Sequence, residues 1–343
     1  MDKIKTTREN NYSPQKVEKF WNDITEAVGR TPIVKLRKIP AERGIRATVL
    51  VKPEFMNPTG SVKDRMAVFV LNEAVRTGEL KPGGTIIEAT SGNTGAAIAM
   101  YAAAHGYRAI LTIPAKMSKE KIDTLKAFGA EVYVCPTEAE PDSPEHYYQT
   151  ALRLQGEIPN AYFMKQYFNN NNIESHYRTT GPEIWEQLGG QLDVFVGGIG
   201  TGGTVSGTGK YLKEKNSAIE IVAADPYGSI FFQYHKDGTL AKPHTYLVEG
   251  IGEDMPCDSI DYSVIDKIYQ VSDRDSFRAA RDLTRKEGIF AGGSGGAALH
   301  AALVHAEKLD ADKTVLVILP DSGIKYISKI FNDDWMREKG FLD

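Results

Sequence analysis

Lys63 stands where a strand pattern gives way to a helix pattern. The stretch Asn57-Pro58-Thr59-Gly60-Ser61-Val62-Lys63-Asp64-Arg65 follows the apolar run 47–53 and enters an amphipathic helix carrying Val62, Met66, Val68, Phe69 and Ala74. Pro58 and Gly60 make the turn, and Ser61 is the expected helix N-cap. The carboxyl end of a strand is where open α/β folds place ligands. A lysine there has two readings. It is a solvated helix-surface cation, or it is a partly desolvated amine of lowered pKa that forms a Schiff base with a carbonyl cofactor.

Three later loops bear on the choice. After the strand pattern Ile86-Ile87-Glu88-Ala89-Thr90, Ser91-Gly92-Asn93-Thr94-Gly95 turns into an alanine-rich helix. Ser91 or Asn93 is an N-cap there, or the loop's N–H groups and hydroxyls cradle a substrate carboxylate while Asn93 holds a phenolic oxygen. After Asp193-Val194-Phe195-Val196, the run Gly197-Gly198-Ile199-Gly200-Thr201-Gly202-Gly203-Thr204 opens another helix. Its N–H groups and the Thr201 and Thr204 hydroxyls suit a phosphate, and the plainer alternative is a tight packing turn. Gly198, Gly200 and Gly203 also match G-x-G-x-x-G, with Asp225 about 20 residues on, as in a dinucleotide site. Ala291-Gly292-Gly293-Ser294-Gly295-Gly296 opens a third helix, where Ser294 is an N-cap or a hydroxyl offered to a ring nitrogen. A dinucleotide explains one loop. A carbonyl cofactor with a phosphate tail, a phenolic oxygen and a ring nitrogen explains all four. Lys63 makes the imine, Asn93 meets the phenol oxygen, Gly200, Thr201, Gly202, Gly203 and Thr204 hold the phosphate, and Ser294 faces the nitrogen. That cofactor is pyridoxal 5′-phosphate.

The elements that must position these loops alternate in α/β fashion. Residues 1–12 form a polar arm. Ser13-Pro14 opens a helix with Val17, Phe20, Trp21, Ile24 and Val28 on one face and Gly29 as its stop. Strands are expected at 33–36, 47–53, 85–89, 108–113 and 131–135, with helices at 62–76, 93–105 and 118–128. Asp142-Ser143-Pro144 caps a helix to Leu154. A second series begins near Ala161, with strands at 161–165, 193–198, 219–224 and 313–319 and helices near 174–188, 204–214, 275–287 and 295–308. The segment 226–262 has no period and reads as a long functional loop. The expected architecture is α/β, two domains each with a mostly parallel sheet flanked by helices, with the site in the crevice between them. Residues 13–53 and 161–343 make the larger, cofactor-phosphate domain, and 54–160 a smaller mobile one.

Composition bounds the function. The 343 residues are 41% hydrophobic and 25% charged with a net charge of −4, which gives no nucleic-acid or anionic-membrane surface. No apolar run approaches the ~20 residues of a membrane span, and Met1–Thr7 lacks the apolar core of a secretory signal. Cys135 and Cys257, the only cysteines, are too far apart for a Cys-x-x-Cys site. No disulfide framework or metal site is expected, and the cytoplasm is the default compartment.

The motifs resemble the cysteine synthase and cystathionine β-synthase family of pyridoxal-phosphate enzymes, from about Phe20 to Leu342. The resemblance implies the tryptophan synthase β-like fold and a homodimer. It makes Lys63 the imine lysine, 91–95 the loop for substrate carboxylate and phenol oxygen, 200–204 the phosphate loop, and Ser294 the residue at the pyridine nitrogen. Thr90, Ser91, Gly92 and Thr94 would contact substrate, Gln166 and Tyr167 would lie beside it, and Gly250 and Gly252 in the 248–254 loop would border the thiol. Glu120–Leu125, Asp225–Ser229, Val248–Asp254 and Trp335–Leu342 resemble the cystathionine β-synthase branch, whereas Thr179–Trp185 is equally at home in cysteine synthases. Thr59 is similar to branches that act on threonine. The first histidine is His105 and the first cysteine Cys135, so no haem is expected. The chain stops at Asp343, so an unregulated core enzyme of bacterial type is expected. The implied reaction is β-replacement, joining serine or an activated serine to homocysteine to give cystathionine in transsulfuration. The alternative is cysteine synthesis from O-acetylserine or O-phosphoserine and sulfide. Rivals are a serine or threonine dehydratase, a nicotinamide oxidoreductase built on Gly198–Gly203, and a non-catalytic cofactor binder.

Overall fold

Runs rich in valine and isoleucine, most of them ended by glycine or proline, build two sheets in the computed structural model, which describes residues 20–115, 117–140 and 142–342. The strands are β1 (Val34–Lys35), β2 (Thr48–Pro53), β3 (Thr85–Ala89), β4 (Arg108–Pro114), β5 (Glu131–Cys135), β6 (Ala161–Phe163), β7 (Val194–Gly198), β8 (Glu220–Pro226), β9 (Lys267–Val271) and β10 (Thr314–Leu319). The larger sheet has the order β1-β2-β10-β7-β8-β9 and is parallel except for β1. The smaller, β5-β4-β3-β6, is parallel throughout. Period-two alternation covers both faces of the larger sheet. Val49, Val51, Val194, Val196, Val315 and Val317 pack in one core with the helix Gly293–Ala306, and Phe195, Ile221, Leu316 and Ile318 in another with the helix Gly203–Lys215.

Several expectations need correction. Strand 161–165 does not open the second series: β6 pairs with β3, Ile87 opposite Phe163, and belongs to the smaller sheet. The edge strand β9 was not expected, because Lys267-Ile268-Tyr269-Gln270-Val271 is short and half-buried. Residues 13–19 of the first expected helix lie outside the described residues, as does the 1–12 arm. The rest holds only a 3₁₀ turn, Ile24–Ala27, with Phe20 and Ile24 exposed. Asp23 accepts hydrogen bonds from the Thr25 amide and hydroxyl and starts the turn there. The helix expected after Asp142 begins at Tyr147 with His146 as N-cap, since Pro144 sits in the preceding turn, and it runs to Glu157. The single helix expected at 174–188 is two, Asn171–Arg178 and Thr180–Gln187, broken where the Thr179 hydroxyl bonds back to the Ser175 carbonyl. The 226–262 segment contains a helix, Phe231–Asp237, closed by left-handed Gly238.

Candidate active site

All four loops lie at carboxyl ends of strands or amino ends of helices, and contacts link them: Lys63 with Thr201, Asn93 with Asp321, Asp321 with Gly292, and Gly250 with both Gly200 and Ser294. The Lys63–Thr77 helix starts in the crevice. Val62 takes the cap position, and Ser61 instead accepts the Lys63 N–H at 3.3 Å. Ahead of it, Asp64 binds both the amide and hydroxyl of Thr59, so Thr59 is spent on shaping the turn. Asn57 donates to Glu54, and Glu54 receives a two-pronged hydrogen bond from Arg65, at 2.6 and 2.9 Å. Arg65 also reaches Glu183, which is shared with Lys52, a lysine with no exposed surface. Both flanks of Lys63 are therefore fixed by buried charge pairs. Among the described residues its own amine has one weak partner, Thr201 Oγ1 at 3.4 Å. Burial holds that amine below the ordinary lysine value, with Glu253 pulling the other way.

The glycine loop is packed so closely that side chains have no room. A β-carbon at Gly200 would stand 2.7 Å from the Gly250 carbonyl oxygen, and one at Gly203 would overlap the Asn172 amide. Gly202, at φ +90°, turns the chain into the Gly203–Lys215 helix, whose N-terminus takes no side-chain cap among the described residues and so suits an anion. Thr201 accepts from Asn172 Nδ2 at 2.9 Å, and Thr204 shares a hydrogen bond of 3.2 Å with His176. Burial drives the His176 pKa far down, with Arg65 and Lys63 adding to the effect, so the ring is neutral.

At the 91–95 loop neither Ser91 nor Asn93 is the N-cap. Thr90 Oγ1 accepts the N–H groups of Gly92 and Gly95 at 3.0 and 3.1 Å. Thr94 donates to Gln166 Oε1 at 2.7 Å, and Gln166 Nε2 donates to the Ala89 carbonyl, which ties this loop to 165–167. Tyr167 is buried, and its carbonyl holds Ser259. Ser91 is exposed. Asn93 donates to Asp321 Oδ2 at 2.9 Å and accepts from Lys325 Nζ at 2.6 Å. Ser294 lies in the first turn of its helix, with Gly292 as cap, and is 2% exposed. A β-carbon at Gly250 would lie 3.9 Å from its hydroxyl. Gly252 donates its N–H to the Ile199 carbonyl at 2.7 Å, which holds the 248–254 loop against the glycine loop.

Sequence reasoning missed the supporting residues. Asp321 and Lys325 follow β10, and the strand-end rule applied to Leu319-Pro320-Asp321 would have found them. Asn172 and His176 carry no such signal, because they sit inside a helix. Glu88, near the end of β3, is fully buried, and burial, set against the Gln166, Lys165 and Ala89 N–H groups that pull the other way, pushes its carboxyl up to about 8. Asp225 accepts the Phe232 N–H at 2.9 Å and so supports the Phe231–Asp237 helix instead of projecting toward a ribose. The nicotinamide reading loses its acidic partner.

The residues present fit pyridoxal 5′-phosphate. A desolvated amine, a side-chain-free cradle at a helix N-terminus and a buried serine hydroxyl with no hydrogen bond among the described residues match an aldehyde, a phosphate and a ring nitrogen. Among the described residues no helix is long and apolar enough to cross a membrane. The family model "Pyridoxal-phosphate dependent enzyme" matches residues 24–321. Cystathionine beta-synthase of Apis mellifera is 47% identical over 94% of the chain, which spans 64% of that relative's length. O-acetylserine dependent cystathionine beta-synthase of Bacillus subtilis is 41% identical over 90% of the chain and 96% of its own length. The crystal structure of cysteine synthase from Entamoeba histolytica aligns with a TM-score of 0.84 at 35% identity, covering 92% of this chain and 91% of its own. With that match extending from the 3₁₀ turn to the loop after β10, the chain belongs to the pyridoxal-phosphate dependent enzymes.

Proposed function

We propose that the protein catalyses β-replacement, joining L-serine or an activated serine to L-homocysteine to give L-cystathionine. The observation that carries this reading is the convergence of Lys63, Asn93, the 200–204 loop and Ser294 on one crevice. Pyridoxal 5′-phosphate, when bound, supplies the conjugated system that takes up charge developing at Cα. Lys63 would hold the cofactor aldehyde, and its amine, when free, would take the Cα proton, a role its lowered pKa favours. Gly200, Thr201, Gly202, Gly203 and Thr204 would hold the phosphate, and Asn93 would meet the phenol oxygen. Ser294, a hydroxyl in place of a carboxylate, leaves the ring nitrogen without a charged partner, which favours elimination over racemisation. Ser91 and Gly92, with Thr90 and Thr94 shaping their loop, receive the substrate carboxylate beside Gln166 and Tyr167. Gly250 and Gly252 border the thiol. Water leaves from serine, or acetate from O-acetylserine, and the thiol sulfur bonds to Cβ. A homodimer and a cytoplasmic location belong to the same reading, the latter supported by the free Cys135 and Cys257.

Product analysis of the purified protein given L-serine, O-acetylserine, L-homocysteine and sulfide together tests this. Cystathionine as the main product is expected. The alignment with a cysteine synthase structure favours a second reading, and cysteine as the main product would replace the first with it. A keto acid and ammonia without a thioether would overturn both.

We also propose that the smaller unit, 54–160 with β6, closes over substrate. Lys121 from its helix Lys119–Ala127 already bonds Glu249 of the 248–254 loop across the crevice, and Lys329 holds the other Glu249 oxygen at 2.7 Å. Small-angle scattering of the holoenzyme should contract on adding O-acetylserine. An unchanged profile counts against closure.

A further inference from the structure

Asn93 is held by two groups of opposite charge, and they decide which way its amide faces. Lys325, an ammonium with only donors, lies 2.6 Å from one amide atom, and Asp321, a carboxylate with only acceptors, lies 2.9 Å from the other. The first must therefore be the amide oxygen and the second the nitrogen. Asp321 uses one of the two N–H groups, leaving the second to donate elsewhere. The support behind this arrangement is rigid. Asp321 is 1% exposed, receives the Tyr326 hydroxyl at 2.7 Å, and its carbonyl takes the Gly292 N–H at 3.0 Å. Gly292 has to be glycine, since a side chain there would strike the Asp321 carboxylate. Lys325 also lies over the turn before Lys63, where a β-carbon at Gly60 would stand 4.0 Å from its Nζ. The charged groups around it come from three elements: Asp321 on its own loop, Asp64 on the Lys63 helix and Lys121 on the smaller unit.

We propose that Lys325 is a positioning residue for the cofactor: it locks the Asn93 amide with an N–H toward the phenol oxygen, and its ammonium favours the ionised form of that oxygen. The proposal rests on the reading of Asn93 as the phenol-oxygen partner. No binding step needs Lys325 to touch the cofactor, so its effect passes through Asn93 and through space. A unit charge in a partly desolvated crevice at this range is enough for roughly tenfold in such an equilibrium.

The test is the absorption spectrum and the pyridoxal-phosphate dissociation constant of the purified holoenzyme at one pH, in wild type, Lys325→Met, Lys325→Gln and Lys325→Arg. Thermal melting confirms folding in each. Wild type is expected to be yellow. Lys325→Met should move absorption from the visible to the near-ultraviolet band and weaken cofactor binding about tenfold. Lys325→Gln, which keeps a donor to Asn93 without charge, should shift the spectrum with less loss of binding, and Lys325→Arg should restore both. In an Asn93→Ala background the binding effect of Lys325→Met should shrink to the part its charge exerts through space. Unchanged spectra in folded Lys325→Met or Lys325→Gln, or additive losses with Asn93→Ala, would overturn the proposal while leaving the cofactor reading intact. A colourless wild type that retains no pyridoxal phosphate would overturn the reading beneath it.

Discussion

Lys63→Ala loses turnover by at least about 10³-fold while keeping the fold and the phosphate loop, because one side chain serves as both covalent anchor and base. The structure explains why the fold survives. Among the described residues the Lys63 amine makes one long hydrogen bond, to Thr201, and no ion pair, and alanine is the best helix former for the first turn. Removing a desolvated cation relieves a cost and breaks no network. Lys63→Arg separates charge from chemistry: it keeps a cation in the crevice, but a guanidinium stays protonated at any working pH and cannot take the Cα proton. Both variants should be inactive, with melting temperatures within a few degrees of wild type. Near wild-type kcat/KM in either, with the fold intact, would sink the assignment of the lysine.

Breaking the buried charge cluster two residues further on has the opposite profile, a large loss of stability. Glu54 has no exposed surface and Arg65 is 3% exposed, and Glu183 completes the cluster with Lys52. Glu54→Ala leaves Arg65 and Lys52 facing each other with one carboxylate between them, which costs about 3–5 kcal/mol. Denaturant melts should show it, accompanied by weaker cofactor retention, since Arg65 fixes the turn that carries Lys63. The cluster also sets an acid limit. Its cations, led by Arg65 and set against the cost of burial, lower the Glu183 carboxyl from 4.5 to about 2. A depressed carboxyl contributes stability that is complete above the unfolded value and lost as pH falls toward the folded one. Wild type should therefore lose stability between about pH 4.5 and 2, more steeply than Glu183→Gln, which has no proton to take up. Parallel acid titrations of the two would contradict the cluster's role.

The parts legible in the sequence were those encoded locally. Strands bounded by glycine and proline, and loops that switch from period two to period 3.6, placed Lys63, Asn93, the 200–204 run and Ser294 at strand or helix ends, and the sheets bring those ends together. What escaped depends on distant partners. Gly92 stands at the cap, and it is Thr90 rather than Ser91 whose hydroxyl takes the Gly92 and Gly95 N–H groups, a choice that propensity cannot make between adjacent hydroxyls. Asp321, Lys325, Asn172 and His176 act through contacts made only when β10 and the Asn171–Arg178 helix dock. In the described part of the first expected helix, 20–28, a 3₁₀ turn stands instead, because Asp23 beside Thr25 offers the backbone a competing local hydrogen bond that an apolar stripe has no means of signalling.

The Lys63–Thr77 helix has a mechanical consequence. At its start, Val62 donates to the Pro320 carbonyl at 2.8 Å and Ser61 bridges Asp321, both just past the end of β10. Further along, Met66, Ala67, Val70, Leu71 and Ala74 are embedded in the core of the smaller unit. The helix is thus a rod clamped at one end and carried at the other. Displacement in a rotating rod grows with distance from the clamp. A turn of about 10° moves the far end, some 21 Å along, by about 4 Å, and moves Lys63 by well under about 1 Å. In the proposed closure the amine would sit at the still point of the lever, aligned with Thr201 and the phosphate loop, while the far end of the helix would carry the core of the smaller unit through the longer arc.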